Sequence, residues 1–434
     1  MPRKPDLSEP LPVAPATGAS LEQWLAYLEA VHPSEIDLGL DRVLVVLRRL
    51  FAGPIKGRVI TVAGTNGKGS TVTCLEALLQ GAGRTTGAYT SPHLSRYNER
   101  IRINGVEVDD GEIITAFEAI DAARRKVSLT YFEFSTLAAF LIMESHGVED
   151  WILEVGLGGR LDAVNVLDAE LAIITSVDID HTAWLGTDRE TIGFEKAGIL
   201  RFGKPAIYAD VDPPSSVLQQ ATAQKVPLLR YGTDYTIAQG APGLLVDLKA
   251  SGRCIQVPQS PLPETSVAAA VRAACLLQPD ITDQIISDSL QAVRMPGRFE
   301  LIHASPTVYA DVGHNPHAAR WLAGRLESLK AEGTKIFAVY GCLTDKDSQG
   351  VVSALRGVVD HWMPGGLSVA RGVDAVGLAE RLQKVLPGHG AYTVSNTVSE
   401  ALDLALAQAG VKDIVIVFGS FFTVSQARKH LNVL

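Results

Sequence analysis

Val59-Ile-Thr-Val-Ala-Gly-Thr-Asn-Gly-Lys-Gly-Ser-Thr71 runs from an apolar, β-rich stretch through a glycine-rich turn into a helix predicted to begin near Lys68. This is the arrangement a triphosphate needs. Gly64, Gly67 and Gly69, with Thr65 and Asn66 between them, let backbone N–H groups approach phosphate oxygens, while the helix dipole and Lys68 supply positive potential. Ser70 or Thr71 can offer a hydroxyl to phosphate or metal. A glycine stands between the lysine and the serine, so the loop is a variant of the general phosphate-binding pattern. The bland reading, an ordinary strand-to-helix turn, is weakened by the strand before the glycines and the helix after them.

Outward from this loop, Trp151 to Val155, Leu171 to Val177 and Pro205 to Tyr208 read as further strands separated by amphipathic stretches, the signature of a mostly parallel sheet. Asn104 and Gly105, inside Arg100 to Val108, predict a tight hairpin projecting from that sheet. Upstream, Ser20 and Gln23 form a capping-box pattern ahead of Leu21, Trp24, Leu25 and Leu28, and a second short helix is expected from Leu40 to Phe51. From Thr233 to Pro263 the periodicity is weak and rich in glycine and proline, which predicts irregular strands and loops before an alanine-rich helix. Strands resume at Thr307 to Asp311, Lys335 to Tyr340 and Ile414 to Phe418. The chain is therefore expected to be an α/β protein with a P-loop ATPase-like N-terminal domain and a smaller Rossmann-like C-terminal domain. The expected divisions are a flexible tail over 1–19, the ATP-binding domain over 20–294 and the second domain over 295–434.

The bulk numbers exclude several roles. A formal net charge of −9 disfavours a protein built to neutralise nucleic acid or lie on an anionic membrane. No apolar run reaches membrane-spanning length, and Pro2, Pro5, Pro10, Pro12 and Pro15 break any leader-like helix. Cys74, Cys254, Cys275 and Cys342 lie far apart in sequence, so a reducing cytoplasm is the expected compartment.

Glu154 falls near the carboxyl end of a predicted strand, where parallel sheets present ligands and a carboxylate can hold magnesium. The next predicted strand ends in Asp178-Ile-Asp-His181, and Glu195-Lys-Ala-Gly198 follows about one helix later. A histidine or lysine in such a place is by itself more often structural or solvated. Beside a phosphate loop the three clusters gain meaning, because ATP-dependent transfer needs cations to offset phosphate charge.

Taken in order, Gly64-Thr-Asn-Gly-Lys-Gly-Ser70, Thr90-Ser-Pro-His-Leu94, Leu153-Glu-Val-Gly-Leu-Gly-Gly-Arg-Leu-Asp162, Asp180-His181, Glu195-Lys-Ala-Gly-Ile199, Pro296-Gly-Arg298, Asp311-Val-Gly-His-Asn-Pro316, Asp345-Lys-Asp347 and Gly419-Ser420 closely resemble the folylpolyglutamate synthase family of the Mur ligase superfamily, in particular its bifunctional dihydrofolate synthase/folylpolyglutamate synthase branch. The resemblance covers nearly the whole chain. It implies an ATP-dependent ligase that activates a carboxylate as an acyl phosphate and joins it to L-glutamate, making dihydrofolate from dihydropteroate and extending reduced folates by γ-linked glutamates. It further implies that residues 64 to 71 hold the ATP phosphates, with Lys68, Glu154, His181 and Lys196 as catalytic groups. Ser91 and Glu154 would bind one magnesium, while Glu154, His181 and a carbamate on Lys196 would bind a second; a monovalent cation would also be accommodated. The carbamate has a physical logic, since a bare ammonium would repel two dications.

By the same resemblance Arg298 and Asp311 would reach the nucleotide, and the two domains would close on it. Thr130, Phe132 and Asp162 would contact the pterin, with Ile36-Asp-Leu-Gly-Leu40 nearby, and His314 and Ser420 would lie on the glutamate side. A monomer is expected. Two departures stand out: Gly313 replaces the family's alanine, which should loosen that turn, and Glu264, Thr265 and Ser266 follow Pro263 where the family carries an asparagine that anchors the nucleotide. Two competing readings are a cell-wall ligase and a phosphate-loop switch without ligation chemistry. The first would need a nucleotide-sugar domain ahead of the loop, where only 63 residues precede Gly64; the second leaves Arg298, Asp311 and Asp345-Lys-Asp347 without a purpose.

Overall fold

Continuous apolar runs form the buried strands because strands covered on both faces do not alternate in polarity. In the computed structural model, which describes residues 13–32, 34, 36–386 and 392–433, eight strands form one sheet. These are β1 (Arg58–Ala63), β2 (Thr86–Tyr89), β3 (Ile101–Ile103), β4 (Val106–Glu107), β5 (Asp150–Glu154), β6 (Leu171–Ile174), β7 (Ala206–Tyr208) and β8 (Leu228–Arg230), in the order β4-β3-β2-β5-β1-β6-β7-β8. All neighbours from β2 to β8 run parallel. The register pairs Val62 with Glu154, Ala63 with Ile174 and Tyr89 with Leu153. Four strand ends, and hence four following loops, therefore emerge side by side on one edge.

The hairpin expected to project does not. Asn104 and Gly105 adopt left-handed φ values of 49° and 79° and make the turn, but β3 pairs antiparallel with β2, so the hairpin extends the sheet as its edge. Exposed backbone N–H and C=O groups along β2 favour that pairing over a free hairpin, which is barely stable alone. The stretch expected to be irregular is also more ordered: β9 (Tyr235–Gly240), β10 (Gly243–Leu248) and β11 (Arg253–Val257) form a regular antiparallel meander. Its signal is local, a buried-intermediate alternation along β10 between two short turns. The capping box at Ser20 and Gln23 opens the helix Leu21–Ala30, and the next helix covers Asp41–Leu50. Residues 1–12 of the expected tail lie outside the described residues, and Ala14 and Ala19 rest against the core beside Trp24 and Leu28.

The chain divides into two compact units, one reaching Ser260 and resuming over Glu264–Val293, the other comprising Pro261–Pro263 and Arg294–Leu434. The second unit has its own sheet of five strands, β12 (Glu300–Ala304), β13 (Thr307–Asp311), β14 (Ile336–Tyr340), β15 (His361–Pro364) and β16 (Ile414–Phe418), in the order β12-β13-β16-β14-β15. Only β12 is antiparallel to its neighbour, and the core is filled by side chains such as Leu322, Tyr340, Trp362 and Phe418. Cys74, Cys254, Cys275 and Cys342 are free thiols.

Candidate active site

In an open parallel sheet, ligands gather at the carboxyl ends of strands whose connections leave in opposite directions. The ends of β2, β5, β1 and β6 meet this condition, and each carries one of the sequence-predicted clusters. After β1, Gly64 and Gly67 take φ values of 152° and 83°, a region glycine enters at no steric cost, and Gly67 caps the helix Lys68–Gly81. The loop is braced from β6: Thr175 donates its hydroxyl to the Asn66 carbonyl at 2.6 Å, and the Ser176 hydroxyl accepts from the Asn66 N–H at 3.1 Å. Thr65 exchanges hydrogen bonds with the backbone of Asp178 at 3.1 and 3.0 Å. Lys68 curls back so that Nζ donates to the carbonyls of Gly64 and Thr65 at 3.1 and 3.4 Å. Ser70 differs from its neighbours. Its hydroxyl is buried with no hydrogen-bond partner, as fits a group kept for a phosphate oxygen or a cation.

Beside the loop, Glu154 at the end of β5 is buried and accepts the Ser91 N–H on Oε2 at 3.2 Å, so two of the expected metal ligands are brought together. His181 stands at φ 51°, in the left-handed region, with its N–H on Asp180 Oδ1 at 2.8 Å, and it opens the short helix Thr182–Leu185. Lys196 is buried in the last turn of the helix Arg189–Ala197. Burial first, then the charge of Lys68, lowers its pKa from 10.5 to about 7, against the opposing pull of Asp180 and Asp162. Among the described residues no three His, Cys, Asp or Glu side chains gather as a metal site, and the expected set relies instead on a serine and a lysine adduct.

The glycine motifs around Lys196 are packing devices. A Cβ on Gly159 would meet the Glu195 carbonyl at 2.9 Å, and one on Gly198 would meet the Arg160 Cα at 2.5 Å. Through these close approaches Arg160 donates its N–H to the Glu195 carbonyl at 2.8 Å and its guanidinium to the Glu195 carboxylate at 2.8 Å. The loop after β5 is thereby clamped to the helix that carries Lys196.

On the expected pterin side, Thr130 caps the helix Tyr131–Ser145 in a reciprocal box with Glu133, and Asp162 caps the turn Ala163–Val166. Asp162 accepts from the N–H groups of Leu157 and Val164 at 2.8 and 3.0 Å. Burial still raises its pKa to about 6, partly countered by these N–H groups and by Lys68. Phe132 lies 5.9 Å from the Tyr89 ring and fills the space a side chain on Gly156 would need. The segment Ile36 to Leu40 reaches this place too, the Gly39 N–H donating to the Leu161 carbonyl at 3.2 Å. Arg42 ties the region together, bonding Asp37 at 2.7 Å and Glu133 at 3.0 Å. Sequence reasoning passed over Arg42 and Glu133, although Glu133 closes a readable Thr-x-x-Glu capping box.

In the second unit Asp311, at the end of β13, accepts from the N–H groups of Phe299 and Gly313 at 2.9 and 2.7 Å. Burial raises its pKa against the lowering influence of Arg298, whose guanidinium lies 5.3 Å from the Phe421 ring. His314 Nδ1 sits 3.0 Å from the Val312 carbonyl. Ser420, expected on the glutamate side, caps the helix Phe421–His430, its hydroxyl accepting the Thr423 N–H at 3.0 Å. At Gly313 a Cβ would press on Asp311 Oδ1 at 2.8 Å, so the glycine makes room for the carboxylate. Where the asparagine is missing, the helix Glu264–Leu277 begins, and the Ser266 hydroxyl donates to the Gly67 carbonyl at 3.3 Å.

Comparison with known proteins extends this geometry. Residues 62–257 match the Mur ligase middle domain and residues 297–421 the Mur ligase glutamate ligase domain. The dihydrofolate synthase/folylpolyglutamate synthase of Escherichia coli is 42% identical over 96% of this chain and 97% of its own length. A structure of E. coli FolC in complex with DHPP and ADP has a TM-score of 0.90 at 40% identity, covering 96% of this chain and 99% of that one. A bifunctional folylpolyglutamate synthase/dihydrofolate synthase with Mn, AMPPNP and L-glutamate bound has a TM-score of 0.89 at 40% identity, covering 97% and 100%.

Proposed function

Because this chain belongs to the dihydrofolate synthase/folylpolyglutamate synthase family of Mur ligases, we propose that the loops after β1, β2, β5 and β6 carry out that family's ligation. The protein is an ATP-dependent amide ligase. It joins L-glutamate to dihydropteroate, forming dihydrofolate, and adds γ-linked glutamates to reduced folates through an acyl phosphate. Support for the site reading comes from a braced phosphate loop and the Ser91–Glu154 pair at neighbouring strand ends, with a buried Lys196 in the helix Arg189–Ala197 close enough to Lys68 and Asp180 to feel their charges.

In the first step a substrate carboxylate oxygen attacks the γ-phosphorus of ATP, the bond to the β-γ bridging oxygen breaks, and ADP leaves. Backbone N–H groups of residues 64 to 70, Lys68 and the Ser70 hydroxyl hold the phosphates. Ser91, Glu154, His181 and Lys196, the last as its carbamate, would hold magnesium, which offsets the charge that accumulates on the transferring phosphoryl group. Burial suits Lys196 to that adduct, since only the neutral amine takes up carbon dioxide, giving an anion and a proton. Two ions, and room for a monovalent cation, belong to the proposal. In the second step the glutamate amine adds to the acyl carbon, and phosphate and a proton depart.

Thr130, Phe132 and Asp162 are proposed to hold the pterin, Arg298 and Asp311 the nucleotide, and His314 and Ser420 the incoming glutamate. Among the described residues no helix is long and apolar enough to cross a membrane. The proposed protein is a cytoplasmic monomer that engages small molecules and no nucleic acid. Purified protein given ATP, magnesium, dihydropteroate and glutamate is expected to release one phosphate per dihydrofolate. Phosphate release that continues unchanged without glutamate would point to a nucleotide switch instead.

A further inference from the structure

Beside the Thr90 to Leu94 turn lies a positive charge that the ligation chemistry does not use. Arg100 ends the turn Tyr97–Arg100, and its carbonyl accepts the Thr90 N–H at 2.8 Å, which fixes it next to the end of β2. It is only 8% exposed. The guanidinium carbon lies 5.5 Å from the centre of the Tyr97 ring and 5.4 Å from that of Tyr131. Among the described residues no carboxylate pairs with it. Its sequence neighbour Glu99 is otherwise engaged, accepting the N–H groups of Leu94, Ser95 and Arg96 at 2.6, 2.7 and 2.7 Å.

Only one edge of the guanidinium is satisfied, by Nε donating to Nδ1 of His93 at 2.9 Å. Arginine has donors alone, so this contact requires His93 Nδ1 to accept and places the imidazole proton on Nε2. The Nη N–H groups stay available. They form a planar fork that matches a carboxylate, and a largely buried cation of this kind calls for an anion. Tyr89 links the two places, its ring 5.9 Å from that of Phe132 and its hydroxyl within electrostatic reach of both Arg100 and Asp162, so the fork borders the proposed pterin side. His93 follows Ser91 by two positions, so it also borders the proposed metal side.

We propose that Arg100, backed by His93 and flanked by Tyr97 and Tyr131, is a carboxylate subsite that holds the α-carboxylate of a glutamylated pteroyl substrate. The carboxylate being activated is a poor occupant: it must offer a lone pair to phosphorus, and a two-pronged guanidinium clamp would draw that density away. Dihydropteroate has no α-carboxylate. The subsite therefore serves chain extension and not the first glutamate addition, and it rests on the reading that one active site performs both.

The test compares tetrahydropteroyl monoglutamate with its α-carboxamide, whose γ-carboxylate remains free to react. Wild-type enzyme is expected to show a KM roughly 10- to 100-fold higher for the amide, the loss of a charge-assisted pair, with the KM for ATP unaffected. In Arg100→Gln the acid and the amide should become equivalent, and the KM for the monoglutamate should rise at least about 10-fold more than that for dihydropteroate. Arg100→Lys, which keeps the charge without the fork, should fall between. Equal KM values for acid and amide in the wild type overturn the proposal without any variant, as does an acid preference that survives in Arg100→Gln. A rise confined to the KM for glutamate would place the incoming amino acid there and overturn it equally. Wild-type protein that ligates neither pteroyl substrate would refute the functional reading itself, a separate outcome.

Discussion

Ser70 and Asp162, both proposed for the site, show two effects of burial, one that leaves stability nearly untouched and one that makes it depend on pH. The Ser70 hydroxyl is buried and unpartnered, so it contributes little to the fold. Ser70→Ala is expected to leave the melting temperature within about 1–2 °C of wild type while lowering kcat/KM for ATP roughly 10- to 100-fold, the loss of a hydrogen bond to a charged group. Thermal unfolding and steady-state kinetics on the same preparation check both halves. Asp162 has the opposite character. Its pKa is raised from 3.8 to about 6, so its contribution to stability is present below the unfolded value and is lost as pH rises through 6, ionisation of the buried carboxyl costing on the order of 2–3 kcal/mol. Asp162→Asn should therefore gain on wild type in urea midpoint above pH 6 and lose that gain near pH 4. A difference between the two proteins that does not vary with pH would refute this. For Lys196, Lys196→Arg is expected to abolish activity at least about 100-fold and to remove a carbamate resonance from protein equilibrated with labelled bicarbonate.

Between elements, small residues decide whether the clusters can meet. Gly198 has ordinary helical dihedrals, φ −63° and ψ −9°, so no backbone strain demands a glycine there. Space does, because the Arg160 backbone and side chain occupy the position of a Cβ. Gly198→Ala is expected to cost about 2 kcal/mol or more and to lower kcat, since relief of the clash must move the helix that carries Lys196. Denaturant unfolding and kinetics would show the two losses together; a stable, fully active variant would mean that the loop after β5 and this helix are not coupled. Gly67 is a glycine for the other reason, its φ of 83°. Both motifs can be quoted from the sequence, but only the packing distinguishes the two causes. The β3–β4 hairpin carries a similar lesson: Asn104-Gly105 announced the turn, while the pairing with β2 depended on a vacant sheet edge that no residue of the hairpin encodes.

Over the whole molecule, ligand binding to a folded loop should appear as stability. ATP with magnesium at about 100 times its dissociation constant should add roughly 2.7 kcal/mol, a rise of about 5–10 °C for a domain of this class, and Lys68→Ala should remove most of it. Differential scanning fluorimetry with and without a chelator measures the effect. Sequence alone determined the alternation of strands and helices in both units, the phosphate loop, and the order of the motifs, because hydrophobic period, glycine dihedrals and cap chemistry are local properties written within a few residues. Tertiary structure decided what those residues do to one another. Thr175 and Ser176 brace Asn66 from 109 and 110 positions away, Ser266 reaches Gly67 from 199, and Arg42 joins Glu133 across 91. The pKa of Lys196 and the lone charge of Arg100 are likewise set by burial and by neighbours distant along the chain, and no local pattern encodes the dielectric around a side chain until the sheet has brought its strand ends together.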